Sequence, residues 1–431
     1  MYRVWNFVTN YSLLLIGGAL LALIWANSSP ESYHHFVEYP LWFNNWVGID
    51  YDYWARAYGE GAAAFEAGGT RILSLHYLVN DMLMAFFFAI AGKEVWEAII
   101  LREGSLRGKK AATPLVATAG GMIGPITVYL GLAIFLGGEV FEQTARGWAI
   151  PTATDIAFSY LVGRMVFGAG HPAVRFLLLL AIADDAAGLI ILAVFYPTGE
   201  LAPTWLLLSL GSAVAAFLLF NWLPRWLDRH NQDRPNSTRV RKVFGFWPYA
   251  VAGALSWYGF AQSGIHPALG LLPIVATIPH ADRSFGEFAE AEQYLTDLLN
   301  HIERLLKHPV EVILFFFGLL NAGVEFSSMG AATWLVFFGL VIGKPVGILL
   351  FGWIAAGPMR LGLPTGMRTI DLFVLGCVAA IGFTVSLFVA SVAFESGPIQ
   401  DAAKMGALLS FFAALLALAA GRLTGVEKQH G

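Results

Sequence analysis

The chain has 431 residues, of which 57% are hydrophobic and only 13% are charged, and its formal net charge is −4. A soluble globular chain carries about 25% charged residues, so this composition excludes a set of water-soluble domains and indicates a membrane protein. The acidic balance argues against nucleic-acid binding. Because Cys377 is the single cysteine, intrachain disulfides and cysteine-ligated zinc or iron–sulfur sites are excluded.

Apolar runs long enough to cross about 30 Å of hydrocarbon recur along the whole chain. They predict an all-α polytopic membrane protein, one domain over 1–431, with twelve spans at 9–27, 76–101, 112–137, 147–166, 172–196, 203–223, 243–262, 265–279, 309–328, 332–356, 370–395 and 401–422. With a cytoplasmic N-terminus, and with residues at span ends assigned to the nearer side, Lys93 and Lys344 of the 26 Lys and Arg residues fall inside spans, four fall on the outer side and 20 on the cytoplasmic side. This bias predicts that both termini are cytoplasmic.

Two connections between spans are long. The outer segment 29–75 is acidic and rich in Trp and Tyr, which indicates either an aromatic belt at the membrane interface or a contact between subunits. The cytoplasmic segment 280–308 carries leucines and an isoleucine at the spacing of an amphipathic helix. We expect it to lie on the membrane surface or to extend the following span inward.

Ionisable residues inside spans are the candidates for function, because each is costly in hydrocarbon unless it has a partner or a task. Asp155, Asp184, Asp185 and Lys344 lie near the middle of their apolar runs. A second group lies nearer the span ends and consists of Asp81, Lys93, Glu94, Glu97, Glu311 and Asp371. We expect the side chains of Glu97, Glu311 and Asp371 to reach the membrane interface.

Three carboxylates and one ammonium group near the middle of the membrane leave a deficit of two positive charges. Small cations or protons would supply them. Successive residues of a helix point about 100° apart, so one of Asp184 and Asp185 can contact Lys344 while the other faces a cavity. Carboxylates, Thr154 and freed backbone carbonyls would offer oxygen ligands to Na+. The alternative is a purely structural Asp–Lys ion pair with permanently protonated acids.

Helix-breaking residues surround these acids. Pro151 lies four residues before Asp155, and Gly376, Gly382 and Thr384 interrupt the span 370–395. Paired broken helices in two halves of a transporter are typical of a binding site at the membrane midplane between inverted repeats. The repeats would be 112–196 and 332–422.

Several motifs resemble the bacterial NhaA sodium/proton antiporter family, above all Ala-Thr-Asp-Ile-Ala-Phe at 153–158 and Leu-Ala-Ile-Ala-Asp-Asp at 180–185. Further similar motifs follow along the whole chain, at 80–81, 83–87, 120–123, 147–151, 263–266, 321–324, 343–347 and 381–384. The resemblance implies an inner-membrane fold with two inverted repeats and crossed discontinuous helices. It also implies exchange of cytoplasmic Na+ or Li+ for external H+, driven electrogenically with two protons per cation, for sodium and pH homeostasis. A homodimer with a contact in 29–75 is implied as well, with no enzymatic activity and no cofactor.

The resemblance also implies residue roles. The cation-binding aspartates would be Asp184 and Asp185, with Lys344 as partner of Asp184 and as a proton carrier, and Asp155 beside Thr154 would be the aspartate of the broken helix. The residues that match the family's pH-response zone are Glu94, Glu303, His308 and His266. The chain departs from the family there, because it carries Lys93 and because Arg304 stands where the family has a histidine. For His266, packing at a helix end is the simpler interpretation.

Three other kinds of membrane protein also place acidic residues within spans. A sodium-coupled symporter of an organic anion would use the same fold but needs a large substrate cavity. An intramembrane aspartyl protease needs a carboxylate dyad, but its Gly-x-Gly-Asp signature is absent from this sequence. An ion channel needs weak binding at several sites, which buried carboxylates and helix breaks do not favour.

Overall fold

The computed structural model describes residues 2–51, 54–55, 70–100, 106, 109–231, 235–279 and 298–429. The helices of eight or more residues in this part of the chain are α1 Tyr2–Ser28, α2 Pro30–Val37, α3 Met84–Ile100, α4 Lys109–Leu136, α6 Ile156–Phe167, α7 Pro172–Phe195, α8 Leu206–Ala216, α9 Pro235–Phe244, α10 Trp247–Ser263, α12 Leu298–Asn321, α13 Ala331–Phe338, α14 Lys344–Ala356, α15 Thr369–Ala379, α16 Phe383–Ala393, α17 Pro398–Leu409 and α18 Phe412–Leu423. The shorter helices α5 Gly138–Thr144 and α11 Leu272–Val275 lie between them, and the strands are β1 Pro40–Asn44, β2 Ile49–Asp50 and β3 Arg71–Ser74. Backbone groups in hydrocarbon must bond within their own segment, which is why apolar runs fold as helices.

The predicted helical membrane class is confirmed. Among the described residues, five helices are long and apolar enough to cross a membrane: Ala111–Leu136, Pro172–Phe195, Pro203–Leu227, Ala331–Ala356 and Pro398–Leu423. The pair α15 and α16 passes the same test as one bent span. All six coincide with predicted spans, and the total of twelve stays a prediction.

The chain forms two compact units, of which the first contains His34–Arg102 and Leu192–Phe317. Its strands form an antiparallel sheet in the order β1-β3-β2. Residues 52–53 and 56–69 of the predicted outer loop lie outside the described residues. A hydrophobic core joins side chains of α8, α10 and α11 with Leu299 of α12.

The segment 280–308 is described only from Leu298, and residues 280–297 lie outside the described part. From Leu298 the chain is one continuous helix through Pro309 to Asn321. In this part the amphipathic segment therefore extends the following span.

The second unit contains Tyr2–Tyr33, Glu103–Ile191 and Gly318–Gly431. Here α4 and α14 cross with their backbones in contact. A Cβ atom at Gly120 would lie 2.2 Å from the carbonyl oxygen of Gly347, and one at Gly347 would lie 2.0 Å from that of Gly120. Only glycine allows this approach, and small residues are the usual means by which membrane helices pack closely. The crossing fixes the start of α14, where Lys344 lies.

Two helical elements of the second unit are interrupted. A 3-10 turn over Ala145–Thr152 contains Pro151, and the chain is irregular from Ala153 to Asp155 before α6 begins. Likewise, α15 ends at Ala379 and α16 begins at Phe383, with a bend of 56° between them. Both interruptions fall where the sequence predicts them. They leave backbone carbonyl and N–H groups free of helical partners inside the unit.

Candidate functional site

The centre of the candidate site is an ion pair between α7 and α14. Lys344 is the first residue of α14, and its Nζ donates a hydrogen bond of 2.9 Å to Oδ2 of Asp184. The same ammonium donates to the carbonyl oxygen of Thr152, at the first helix break. Lys344 is 0% exposed and Asp184 is 4% exposed. A lysine buried to this extent needs such partners, because an unpaired charge is strongly destabilising there.

Thr154 joins this ion pair to the second break. Its hydroxyl lies 2.7 Å from Oδ2 of Asp184 and 3.2 Å from the carbonyl oxygen of Ala379. Ala379 is the last residue of α15, so its carbonyl has no partner within that helix. Asp184 Oδ2 thus accepts from both Lys344 and Thr154.

Asp155 caps two half-helices at once. Its Oδ1 accepts from the backbone N–H of Phe158 at 3.2 Å, which caps the N-terminus of α6. Its Oδ2 accepts from the backbone N–H of Thr384 at 3.2 Å and from the Thr384 hydroxyl, at the N-terminus of α16. A carboxylate is stabilised at each of these ends, because a helix carries partial positive charge at its N-terminus.

Further hydrogen bonds hold the two breaks against each other. The N–H of Asp155 donates to the carbonyl of Ile381 at 2.8 Å. The Ser159 hydroxyl donates to the carbonyl of Val378 at 3.1 Å, and the Ser386 hydroxyl donates to that of Ile150 at 2.8 Å. Each break therefore satisfies backbone groups of the other, as an interrupted helix in hydrocarbon requires.

Asp185 follows Asp184 on α7 and differs from it. It is only partly buried, and no hydrogen bond joins its carboxylate to another of the described residues. One acid of the pair therefore meets Lys344 while the other offers free oxygens, as the helical geometry predicts. In the described ranges, no group of three or more His, Cys, Asp or Glu side chains is arranged to hold a metal ion. A site for transported Na+ would combine two carboxylates with neutral oxygens.

The chain as a whole is similar to known transport proteins. The sequence profile of the family described as Na+/H+ antiporter 1 matches residues 3–421. The chain belongs to this family. A relative named Na(+)/H(+) antiporter NhaA from Jannaschia sp. (strain CCS1) is 69% identical over 430 residues, 100% of both chains.

More distant relatives with the same name cover nearly the full length too. The protein of Geobacter sulfurreducens is 42% identical over 98% of both chains. That of Desulfitobacterium hafniense (strain DSM 10664 / DCB-2) is 44% identical over 98% of this chain and 96% of its own. The predicted membership of the NhaA-type antiporter family is thus confirmed.

The residues that match the family's pH-response zone do not share one location. Glu94 and Glu303 meet at Lys93, whose Nζ lies 3.3 Å from Glu94, 2.9 Å from Glu303 and 2.9 Å from Glu97. The structure thus places one lysine among three glutamates in this family member. The i, i+4 spacing of Lys93 and Glu97 is a signal that would have predicted their pairing.

The two histidines of this zone have separate surroundings. His266 precedes a 3-10 turn and accepts from the N–H of Ala268 through Nδ1, which agrees with packing at a helix end, while its Nε2 lies 3.8 Å from Asp81 Oδ1. The side chain of His308 is 83% exposed, and its Nδ1 lies 3.8 Å from Glu311.

Glu97, Glu311 and Asp371, whose side chains we expected to reach the membrane interface, lie inside the protein. All three are buried, and Glu97 is only 2% exposed. Glu97 binds Lys93, and Asp371 accepts from the backbone N–H and the guanidinium of Arg368. For Glu97 and Asp371, a neighbouring cation or helix terminus compensates the burial of the carboxylate.

Proposed function

We propose that the chain exchanges cytoplasmic Na+ or Li+ for external H+ across the bacterial inner membrane. The observation that carries this proposal is the buried contact of 2.9 Å between Lys344 and Asp184, beside the partly exposed Asp185. Membership of the Na+/H+ antiporter 1 family supports it. The family does not favour the alternative of a sodium-coupled symporter for an organic anion.

Exchange follows from competition for the same oxygens. A Na+ ion that approaches Asp185 and Asp184 would compete with the Lys344 ammonium for Asp184 Oδ2. Bound Na+ displaces one proton from Asp185, and the buried Lys344, which loses Asp184 as its counter-charge, releases a second, since an unpaired buried ammonium is costly. When Na+ leaves to the outside, protons return to Asp185 and Lys344. Thr154 would serve as a neutral ligand, and Asp155 would hold the two half-helices in place.

Two protons carried inward for each Na+ carried outward would move one net charge per cycle. One charge crossing 100 mV corresponds to about 2.3 kcal/mol. Since a tenfold concentration ratio corresponds to about 1.4 kcal/mol, this potential alone would sustain a roughly 40-fold Na+ gradient. Electrogenic exchange of this kind would serve sodium and pH homeostasis, with Lys344 as one of the two proton carriers.

The architecture around the site supports the proposed inverted repeats, 112–196 and 332–422. Each contains a long apolar helix, then an interrupted one, then another apolar helix: Ala111–Leu136 and Pro172–Phe195 flank the first break, while Ala331–Ala356 and Pro398–Leu423 flank the second. We propose twelve spans with both termini in the cytoplasm. We also propose a homodimer with a contact in 29–75, where Trp42 and Trp46 are exposed beside the sheet.

The decisive test is proton flux in everted membrane vesicles, followed with a pH-sensitive dye after addition of Na+, Li+ or K+. Addition of Na+ or Li+ should dissipate the ΔpH across vesicles that contain wild type, but not across vesicles that contain Asp184→Asn or Asp185→Asn. Glu139→Gln, at an exposed position after α4, is the matched control and should behave as wild type. Activity that survives both aspartate substitutions would contradict the site, and wild type without cation-dependent flux would contradict the function.

The role of Lys344 needs a second measurement. In proteoliposomes, Lys344→Ala should change the voltage dependence of exchange, because one of the two proposed proton carriers is gone. Unchanged current and unchanged stoichiometry would reject this role while leaving the exchange function intact.

A further inference from the structure

A third helix of the second unit is interrupted beside the site. Ser410 and Phe411 separate α17 from α18. The hydroxyl of Ser410 donates to the carbonyl oxygen of Ala407 at 2.6 Å and accepts from the backbone N–H of Gly382 at 3.3 Å. Ser410 is 0% exposed, so water does not replace either bond.

Gly382 occupies a crowded position at the start of α16. A Cβ atom there would lie 2.5 Å from the Ser386 hydroxyl and 3.1 Å from the carbonyl oxygen of Ala153. The N–H of Gly382 precedes the first turn of α16, where N–H groups have no helical acceptor. Asp155 accepts from Thr384 in this turn, and Ser410 accepts from Gly382.

The neighbouring Phe411 touches both half-helices that Asp155 caps. Its ring centroid lies 4.5 Å from that of Phe383, the first residue of α16, and 5.0 Å from that of Phe158, in the first turn of α6. Edge-to-face and tilted ring contacts of this kind contribute beyond the burial of apolar area. The turn between α17 and α18 therefore contacts the start of α6 through a ring, and the start of α16 through a ring and a hydrogen bond.

We propose that Ser410 is a positioning residue for ion exchange, which acts through the backbone of Gly382 and is assisted by the Phe411 ring. Ser410 fixes the start of α16 and thereby the donors that Thr384 presents to Asp155. The preceding carbonyl at Ala379, which accepts from Thr154, is held in the same break. This inference rests on the proposed exchange function and adds a residue that touches neither the cation nor its ligands.

The test compares Ser410→Ala with Ser391→Ala. Ser391 lies within α16 and donates the same type of bond to the residue three positions earlier, Phe388, at 2.7 Å, without reaching the breaks. Loss of Ser410 leaves a buried N–H without its acceptor, so we expect the apparent KM for Na+ to rise about tenfold and the pH profile of exchange to move. The maximal rate should fall less than the KM rises. Ser410→Thr, which keeps the hydroxyl, should restore both values, and Ser391→Ala should match wild type.

The outcomes of this test separate the positioning role of Ser410 from the proposed exchange function. An apparent KM and pH profile of Ser410→Ala equal to wild type would overturn the positioning role, as would a Ser391→Ala variant with the same shift. Wild-type protein without Na+-dependent proton flux would instead contradict the exchange function itself. If Ser410→Ala does not accumulate in the membrane, Ser410→Cys keeps the size with a weaker acceptor. It should give a smaller KM shift in the same direction, and wild-type values would overturn the role.

Discussion

Replacing Lys344 by methionine tests the electrostatic basis of the site. Met has nearly the volume and length of Lys, so Lys344→Met removes the ammonium with little change in packing. The carboxylate of Asp184, 4% exposed, then keeps the Thr154 hydroxyl but has lost its cation at 2.9 Å. Removing one partner of a buried ion pair costs about 3–5 kcal/mol of unfolding free energy. We expect a loss of this size at alkaline pH without Na+.

The direction in which the stability of Lys344→Met changes with pH and Na+ distinguishes the loss of the ion pair from a packing defect. Protonation neutralises the uncompensated Asp184 carboxylate, so the stability of Lys344→Met should rise as pH falls. Bound Na+ should act in the same way, since a ligand at 100 times its Kd stabilises the native state by about 2.7 kcal/mol. Thermal unfolding of the detergent-purified protein, measured with and without Na+ at alkaline and mildly acidic pH, follows both effects.

The double variant Lys344→Met/Asp184→Asn provides the control. It carries no buried unpaired charge, so it should recover most of the stability that Lys344→Met loses, and it should lose the response to Na+. A double variant no more stable than Lys344→Met, or a loss that is the same at every pH, would refute the reasoning. The two side chains would then contribute through packing alone.

Three further predictions concern other parts of the chain. Gly347→Ala should destabilise the protein by about 1–3 kcal/mol, because its Cβ would overlap the backbone of α4. Gly131→Ala, which has open space around it, should instead stabilise the protein by about 0.5–1 kcal/mol. Thermal unfolding of the two variants measures both effects. Burial raises the pKa of Asp228, but hydrogen bonds from the first turn of α9 outweigh it and lower the pKa to about 2. The stabilisation of α9 by ionised Asp228 should therefore be present above the ordinary pKa of aspartate, near 4, and should be lost as pH falls towards 2. Hydrogen exchange of the α9 amides measures this loss. Protection that does not change with pH would contradict the prediction. Lys93→Met leaves Glu97 and its neighbours without their lysine, so the pH profile of exchange should move relative to wild type, and an unchanged profile would exclude a role for this cluster in the pH response.

The order of apolar and charged residues was sufficient to predict much of the fold and the members of the site. Six predicted spans coincide with apolar helices or the bent pair. Pro151 and Gly382 correctly marked the breaks, because proline has no N–H to donate to a helix and glycine is a weak helix former. Asp155, Asp184 and Asp185 were predicted as members of the site, because acids in hydrocarbon are too costly to occur without a partner or a task.

Several contacts that complete the site have no signal in the sequence. Thr384 entered the prediction only as a helix breaker, yet it donates to Asp155 from 229 positions further along the chain. Ser410 was not predicted at all, because a serine within an apolar helix is common in membrane proteins and has no periodic pattern of its own. The burial of Glu97 was missed for a similar reason, since its partner Lys93 also binds Glu303, which lies on a helix distant in the sequence.

The sequence by itself determined which segments enter the lipid, where two helices break and which charges lie among them. These properties depend on the solvation of each residue and on its nearest neighbours in the chain, and both follow directly from the order of the residues. The tertiary structure shows that Asp184 contacts Lys344, as the family resemblance implied, and it alone decided that Asp155 caps two helices at once. Those choices depend on distances across packed helices, which close contacts such as the glycine crossing of α4 and α14 set to within a fraction of an ångström.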